Sequence, residues 1–287
     1  MHRVRTLESR VSTTGIAYCI GLLAFVYCRR TEFLADCDAS DQKPFRYVNF
    51  FVPQRRYDPD DPEIMDRPGN DPRLLAGDLK NLRTINRCFG GLRAVQGSIR
   101  PLIDDTDLDS TIEILDLATG SADYPVYLAK WMRRLGRKVR IQAVDKNSFM
   151  VETARERTSA FPEIAVSEMD VLRPTYPDRS FDIVLCSSVL HHFSQRDAVR
   201  LLSEMNRLSR IGFIVNDLRR SRLGAWAVWL YGHLSTTNPI TRHDAYVSIL
   251  RAFTEGEITA MSREAGVLSF VVKKRPVFRL LLVGVHR

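Results

Sequence analysis

Between residues 114 and 123 the chain reads ILDLATGSAD. Strand-favouring apolar residues surround Asp116, and a loop of small residues leads from Ala118 to Asp123 and into Tyr124-Pro125. A strand, a small-residue loop and a helix start make a nucleotide-type turn, with the ligand at the strand's carboxyl end. The residue types restrict that ligand. A dinucleotide fingerprint needs glycine at the positions of Ala118, Gly120 and Asp123, and only Gly120 complies. Asp123 at the start of the helix would repel a pyrophosphate. No Gly-Lys-Ser/Thr phosphate loop is present.

These carboxylates suit a ligand with positive centres and no phosphate. S-adenosylmethionine (SAM), with its ammonium and sulfonium, is such a ligand. Gly120 lets the backbone pass close to it, and Ala118 and Ala122 are the next smallest choices. With its acidic residue and small-residue loop, the segment resembles motif I of class I SAM-dependent methyltransferases, alanine replacing the first and third glycines. The resemblance continues through residues 71–287. Asp145, which ends IQAVD and is followed by Lys146, matches the carboxylate that binds the ribose hydroxyls; its two oxygens fit a vicinal diol. Asp170 and Val171 in SEMDVL match the residues that take the adenine amino group and pack its ring. FDIVLCSSVLHHF is similar to the fourth-strand motif, whose loop from Ser187 to His192 reaches the methyl donor. The resemblance implies a cofactor set of Asp116, Ala118, Gly120, Ala122, Asp145, Lys146, Asp170, Val171 and Ser187.

The acceptor is read from the residues beyond the fourth strand. Cys186-Ser187-Ser188-Val189 stands where amino-methylating DNA enzymes carry an Asn/Asp-Pro-Pro-Tyr-like turn, which argues against a base amino group. Cys186 lies in an apolar strand and is expected in the core. Asn216-Asp217 offers one polar pair for a metal but no third ligand is evident, and no metal centre is expected. Residues 219–256 form the variable region, a lid rich in Leu223, Trp226, Val228, Trp229, Leu230 and Tyr231. Such an apolar cover suits an aromatic or lipid-like acceptor. His191, His192, His243 and Asp244 are its polar candidates, with His192, His243 and Asp244 expected in catalysis, because histidine can act as a base near neutral pH. The lid and DLKNLRTINRCFGG resemble bacterial small-molecule methyltransferases of the ubiquinone/menaquinone type, which implies transfer to oxygen or carbon of a phenolic or quinol-like molecule.

The elements that must hold these residues alternate. TIEILDLA, KVRIQAVD, IAVSEMDVL, SFDIVLC and IGFIVNDL read as strands, separated by helical stretches. Strand–helix alternation implies parallel pairing with helices on both faces. A helix starts at Asp71-Pro72, and Gly90-Gly91 ends it before a second helix over 92–104. The C-terminal VLSFVVKKRPVFRLLLVGV reads as an antiparallel hairpin turning at Lys273 to Pro276. The expected fold is α/β: a doubly wound, mostly parallel seven-stranded sheet with that hairpin at its edge.

At 287 residues, with 45% apolar and 26% charged residues, the chain can bury a full core. The net charge of +8 permits nucleic acid or anionic membrane, but the basic residues are scattered, and a small molecule rather than nucleic acid is the expected partner. The five cysteines are odd in number and form no C-x-x-C pair, which argues against a disulfide framework and for a cytoplasmic setting. Residues 11–28 carry no charge and are flanked by arginines. They are too short for an ordinary spanning helix, and three readings stand: a segment outside the fold, a weak membrane anchor, or a signal peptide. The expected layout is an N-terminal segment over 1–57, poorly structured or weakly membrane-associated, a helical cap over 58–110, and the SAM-binding domain over 111–287. The Pro- and Asp-rich stretch after Pro53 is read as turn-forming and outside the core. Rival functions are an RNA methyltransferase, a non-catalytic assembly factor that keeps the SAM fold, and, least favoured, a nicotinamide oxidoreductase.

Overall fold

The computed structural model describes residues 52–286. The expected N-terminal segment over 1–57 lies almost wholly outside the described residues, including 11–28. Its last residues do not: Arg55 donates to the carbonyls of Arg251 and Phe193. A short 3-10 turn at Ile64–Asp66 precedes helices α1 (Pro72–Cys88) and α2 (Gly91–Ile103). Asp71 caps α1 by accepting from the Arg73 amide at 2.8 Å, with Pro72 in the first turn. Gly90, at φ 75°, breaks the chain between the two helices.

The alternation then runs β1 (Thr111–Leu117), α3 (Asp123–Arg134), β2 (Lys138–Asp145), α4 (Ser148–Thr158), β3 (Ile164–Glu168), β4 (Phe181–Ser187), a 3-10 turn at Leu190–His192, α5 (Gln195–Leu208) and β5 (Ser209–Leu218). Helices α6 (Arg222–Ser235), α7 (Pro239–Arg251) and α8 (Glu255–Glu264) come next, then β6 (Phe270–Arg275) and β7 (Arg279–Val285). The seven strands lie in the order β3-β2-β1-β4-β5-β7-β6. The first five pair in parallel, and β7 pairs antiparallel with both β5 and β6. The hairpin turn starts three residues later than expected and runs from Pro276 to Phe278. Val277 and Phe278 absorb the reversal with left-handed φ values of 60° and 56°, while Lys273 to Arg275 stay paired in β6.

Alternate residues of each strand enter opposite faces. Ile114, Ile141 and Ile183 pack on Ile99 of α2 and Leu128 of α3. Leu115, Val184 and Phe213 pack on Leu201 of α5 and Met261 of α8. Both faces are therefore covered, and the open end of the parallel strands is left for the site. Parallel registers align the ends of β1, β2 and β4, with Leu117 opposite Val144 and Cys186.

Candidate functional site

Asp116 is buried, and its Oδ2 accepts from Thr119 Oγ1 at 2.6 Å. Burial pushes its pKa up to about 7, against that hydrogen bond and with a smaller push from Asp123 and Asp145. The loop after it takes left-handed conformations at alternate positions, with φ 53° at Ala118, 54° at Gly120 and 56° at Ala122. A Cβ on Gly120 would meet no atom within 4 Å, so its open side is a cradle for a ligand. Asp145 closes the loop from the next strand: Oδ2 accepts from Gly120 N at 2.9 Å and Oδ1 from Asn147 N at 3.0 Å. Burial raises the Asp145 pKa despite these two bonds. Asp123 begins α3 and is paired with Arg157 at 2.8 Å.

A cavity of about 460 Å³ opens beside this loop. Asp116, Ala118, Gly120, Asp145, Lys146, Val171 and Ser187 all line it. Ser187 Oγ is buried at the cavity wall, close to the Tyr124 hydroxyl. A strand-end carboxylate, a loop with an open glycine and a hydroxyl on the cavity wall fit SAM. Two expected residues are placed elsewhere. Ala122 is fully buried behind the loop and positions α3. Asp170 is exposed outside the cavity lining, and its Oδ1 accepts from the Leu172 amide of its own turn at 2.9 Å.

The opposite wall comes from α1, α6 and α7, through apolar residues such as Leu82, Phe89, Val228, Tyr231 and Ile249. The lid thus covers the cavity, but its tryptophans do not line it: Trp226 and Trp229 are 53% and 43% exposed on the outer face of α6.

Ionisable groups gather where these walls meet. His191 Nδ1 lies 2.6 Å from Asp217 Oδ1, and His192 Nδ1 lies 2.7 Å from Asp66 Oδ2. The Nε2 atoms stand 3.6 Å and 3.8 Å from Oε1 and Oε2 of Glu63, which is almost fully buried. Glu63, His191 and His192 all line the cavity. Burial would depress His192, but Glu63, Asp66 and Asp217 outweigh it and raise its pKa to about 9. Burial would raise Asp217, yet the charge and hydrogen bonds of His191, with the Leu218 and His191 amides, hold it below the usual range. Arg55 fastens this loop from outside, donating to the Phe193 carbonyl at 2.7 Å and to that of His191 at 3.3 Å.

Of the expected catalytic residues, only His192 belongs to this cluster. His243 is outside the cavity lining, and its Nδ1 bonds Asp244 at 2.7 Å. Asp244 reaches the lining, but its two oxygens accept from the amides of Ile64 and Met65, both at 2.9 Å, and so anchor the 3-10 turn. Asp217 orients His191, and Asn216 instead donates to Tyr124 at 2.8 Å. Glu63, Asp66 and Arg55 come from the stretch expected to lie outside the core. One signal was available: a lone Glu63 between prolines and aspartates, at the entry to a helical cap. Cys186 is buried in the core, as its strand requires, and burial pushes its thiol pKa up. No helix among the described residues is long and apolar enough to cross a membrane.

A family model described as "Methyltransferase domain" matches residues 114–212. The chain is 34% identical to the demethylmenaquinone methyltransferase of Deinococcus radiodurans over 96 residues, covering 33% of this chain and 37% of that protein. It thus spans well under two thirds of that relative's length. Among solved structures, a SAM-dependent methyltransferase from Aquifex aeolicus has a TM-score of 0.51 at 18% identity, over 75% of this chain and 98% of that one. The CurJ carbon methyltransferase has a TM-score of 0.56 at 12% identity, over 77% and 62% of the two chains. The likeness to these structures is one of fold.

Proposed function

We propose that this chain, whose residues 114–212 match a methyltransferase domain, is a class I SAM-dependent methyltransferase that acts on an oxygen or carbon of a small hydrophobic acceptor, an aromatic compound of phenol or quinol type. One observation carries the reading: a single cavity joins the Gly120–Asp145 loop, an apolar helical cover and the Glu63–His191–His192 cluster.

Asp145 would bind the ribose diol with the lone pairs its two amide bonds leave free. Gly120 would admit the cofactor's backbone-side edge, Val171 would pack the adenine, and Ser187 would donate or accept at the donor end. Bound SAM supplies an electrophilic methyl group whose bond electrons stay on sulfur. The residues of α1, α6 and α7 would hold the aromatic acceptor and keep water out. Glu63, His191 and His192 would hold its hydroxyl against the methyl donor. Most of the acceleration then comes from holding acceptor and donor close and aligned.

The test pairs calorimetric titration of SAM with transfer of a labelled methyl group to a panel of phenols, quinols and C-nucleophiles. SAM binding with product labelled on oxygen or carbon is the expected result. Labelled RNA with no labelled phenol or quinol would sink the acceptor class. Failure to bind SAM would favour the assembly-factor alternative.

A further inference from the structure

We propose that Glu63, His191 and His192 are the ligands of a divalent transition-metal ion on the cavity wall. One ligand atom from each lies within 4.8 Å of the other two. The 3.6 Å and 3.8 Å gaps between the Nε2 atoms and Glu63 are too long for hydrogen bonds. They run to different oxygens of Glu63 and are close to the separation of two ligands on one ion, since atoms each about 2.1 Å from a tetrahedral metal stand roughly 3.4 Å apart.

The surroundings are those of a metal site. Each imidazole has its Nδ1 fixed by a carboxylate, Asp217 for His191 and Asp66 for His192. That leaves Nε2 as the coordinating atom, which is the usual carboxylate–histidine–metal arrangement. Glu63 is fixed too, with Oε1 accepting from Ser248 Oγ at 2.9 Å. Every ligand therefore has an outer partner. The imidazole centroids are 4.4 Å apart, near enough for the two rings to share one ion with Glu63. Two nitrogens and a carboxylate select zinc, iron(II), cobalt(II) or manganese(II) over magnesium or calcium.

Three protein ligands leave a coordination position open, as in catalytic rather than structural sites. All three ligands line the cavity, so an ion they held would be reached from it. The ion's task, which rests on the methyl-transfer reading, is to hold the acceptor's hydroxyl oxygen. The O–H bond would break there, with the proton passing to water and the electron pair staying on oxygen.

The experiment uses the full chain, stripped with a chelator and titrated with Co2+ alone and then with Zn2+ in competition. We expect one Co2+ per chain, with visible d–d absorption that Zn2+ abolishes. His192→Ala should weaken Co2+ binding by about 100-fold or more. Asp66→Asn, which touches only the orienting carboxylate, should weaken it about 10- to 100-fold. Asp145→Ala should leave it unchanged. No Co2+ absorption in the wild-type chain, or equal affinity in folded His192→Ala, would overturn the site. SAM binding is measured on the same stripped sample. Stripped protein that binds SAM and methylates a phenol but takes up no metal fails this proposal alone. Metal uptake without any methyl transfer fails the functional reading and leaves the ion site standing.

Discussion

Asp145 Oδ2 accepts a hydrogen bond from the Gly120 amide at 2.9 Å, so the carboxylate that ends β2 also shapes the loop after β1. Asp145→Ala would remove the diol's partner and the loop's brace together. SAM affinity should fall about 10- to 100-fold, in line with the ~1.5–3 kcal/mol of a charged hydrogen bond. Titration calorimetry reads it, and unchanged affinity would remove Asp145 from the site.

Gly120 is held at φ 54° with nothing beside its missing Cβ. Gly120→Val should keep the fold with a backbone penalty of roughly 1–2 kcal/mol. SAM binding should drop much further, because the side chain fills the cradle. A variant that binds like wild type would place the cofactor away from this loop.

The raised pKa of Asp116 gives a signed pH effect. An unfolded aspartate ionises near 3.9, and this one near 7. Between those values the native state binds more protons, so stability falls as pH rises through the window and the loss is complete above pH 7. Asp116→Asn removes the effect while keeping an acceptor for Thr119. Its unfolding free energy from urea titration should exceed that of wild type at pH 8, by up to roughly 4 kcal/mol, and the difference should vanish near pH 4.

His192 and His243 should behave differently, because the fold parts them. His192→Ala should lower turnover by about 10²-fold or more with SAM affinity near wild type, because it removes a group that positions the acceptor. His243→Ala should leave turnover within a few fold. Equal losses in both would contradict the placement of His243 outside the cavity.

Arg55 predicts where a truncation begins to hurt. It donates to the carbonyls of Arg251 and Phe193, and its guanidinium lies 3.8 Å over the Phe253 ring. A chain starting at residue 52 should bind SAM like the full one. A chain starting at Asp58 should lose about 2–3 kcal/mol of stability, as should Arg55→Ala. Thermal melts of the two chains settle the comparison.

The strand–helix alternation was readable because residues such as Ile112, Ile114, Ile141 and Ile183 keep the period of each element, and because Asp71-Pro72 and Gly90 mark helix ends. The loop from Asp116 to Asp123 was readable because small residues next to a carboxylate are constrained locally. The acidic partners of the histidines were not. Glu63 and Asp66 sit in a Pro- and Asp-rich stretch with no periodicity, and only tertiary packing brings them to residues 191 and 192. The exposure of Asp170, and its bond to the Leu172 amide of its own turn, could not be read from its place after a strand. Trp226 and Trp229 misled because an apolar count says nothing about which face of α6 turns inward.

Glu63 is bonded to Ser248, 185 residues later, and faces His191 and His192. Contacts of such separation must close very large loops and gain nothing until both ends are in place. On the ribosome, Glu63 emerges before any strand of the sheet and waits for α7 to be made. A nascent chain can therefore complete the β1–β2 loop while its histidine cluster is still unformed. The two halves of the cavity are separate in time before they are joined in space.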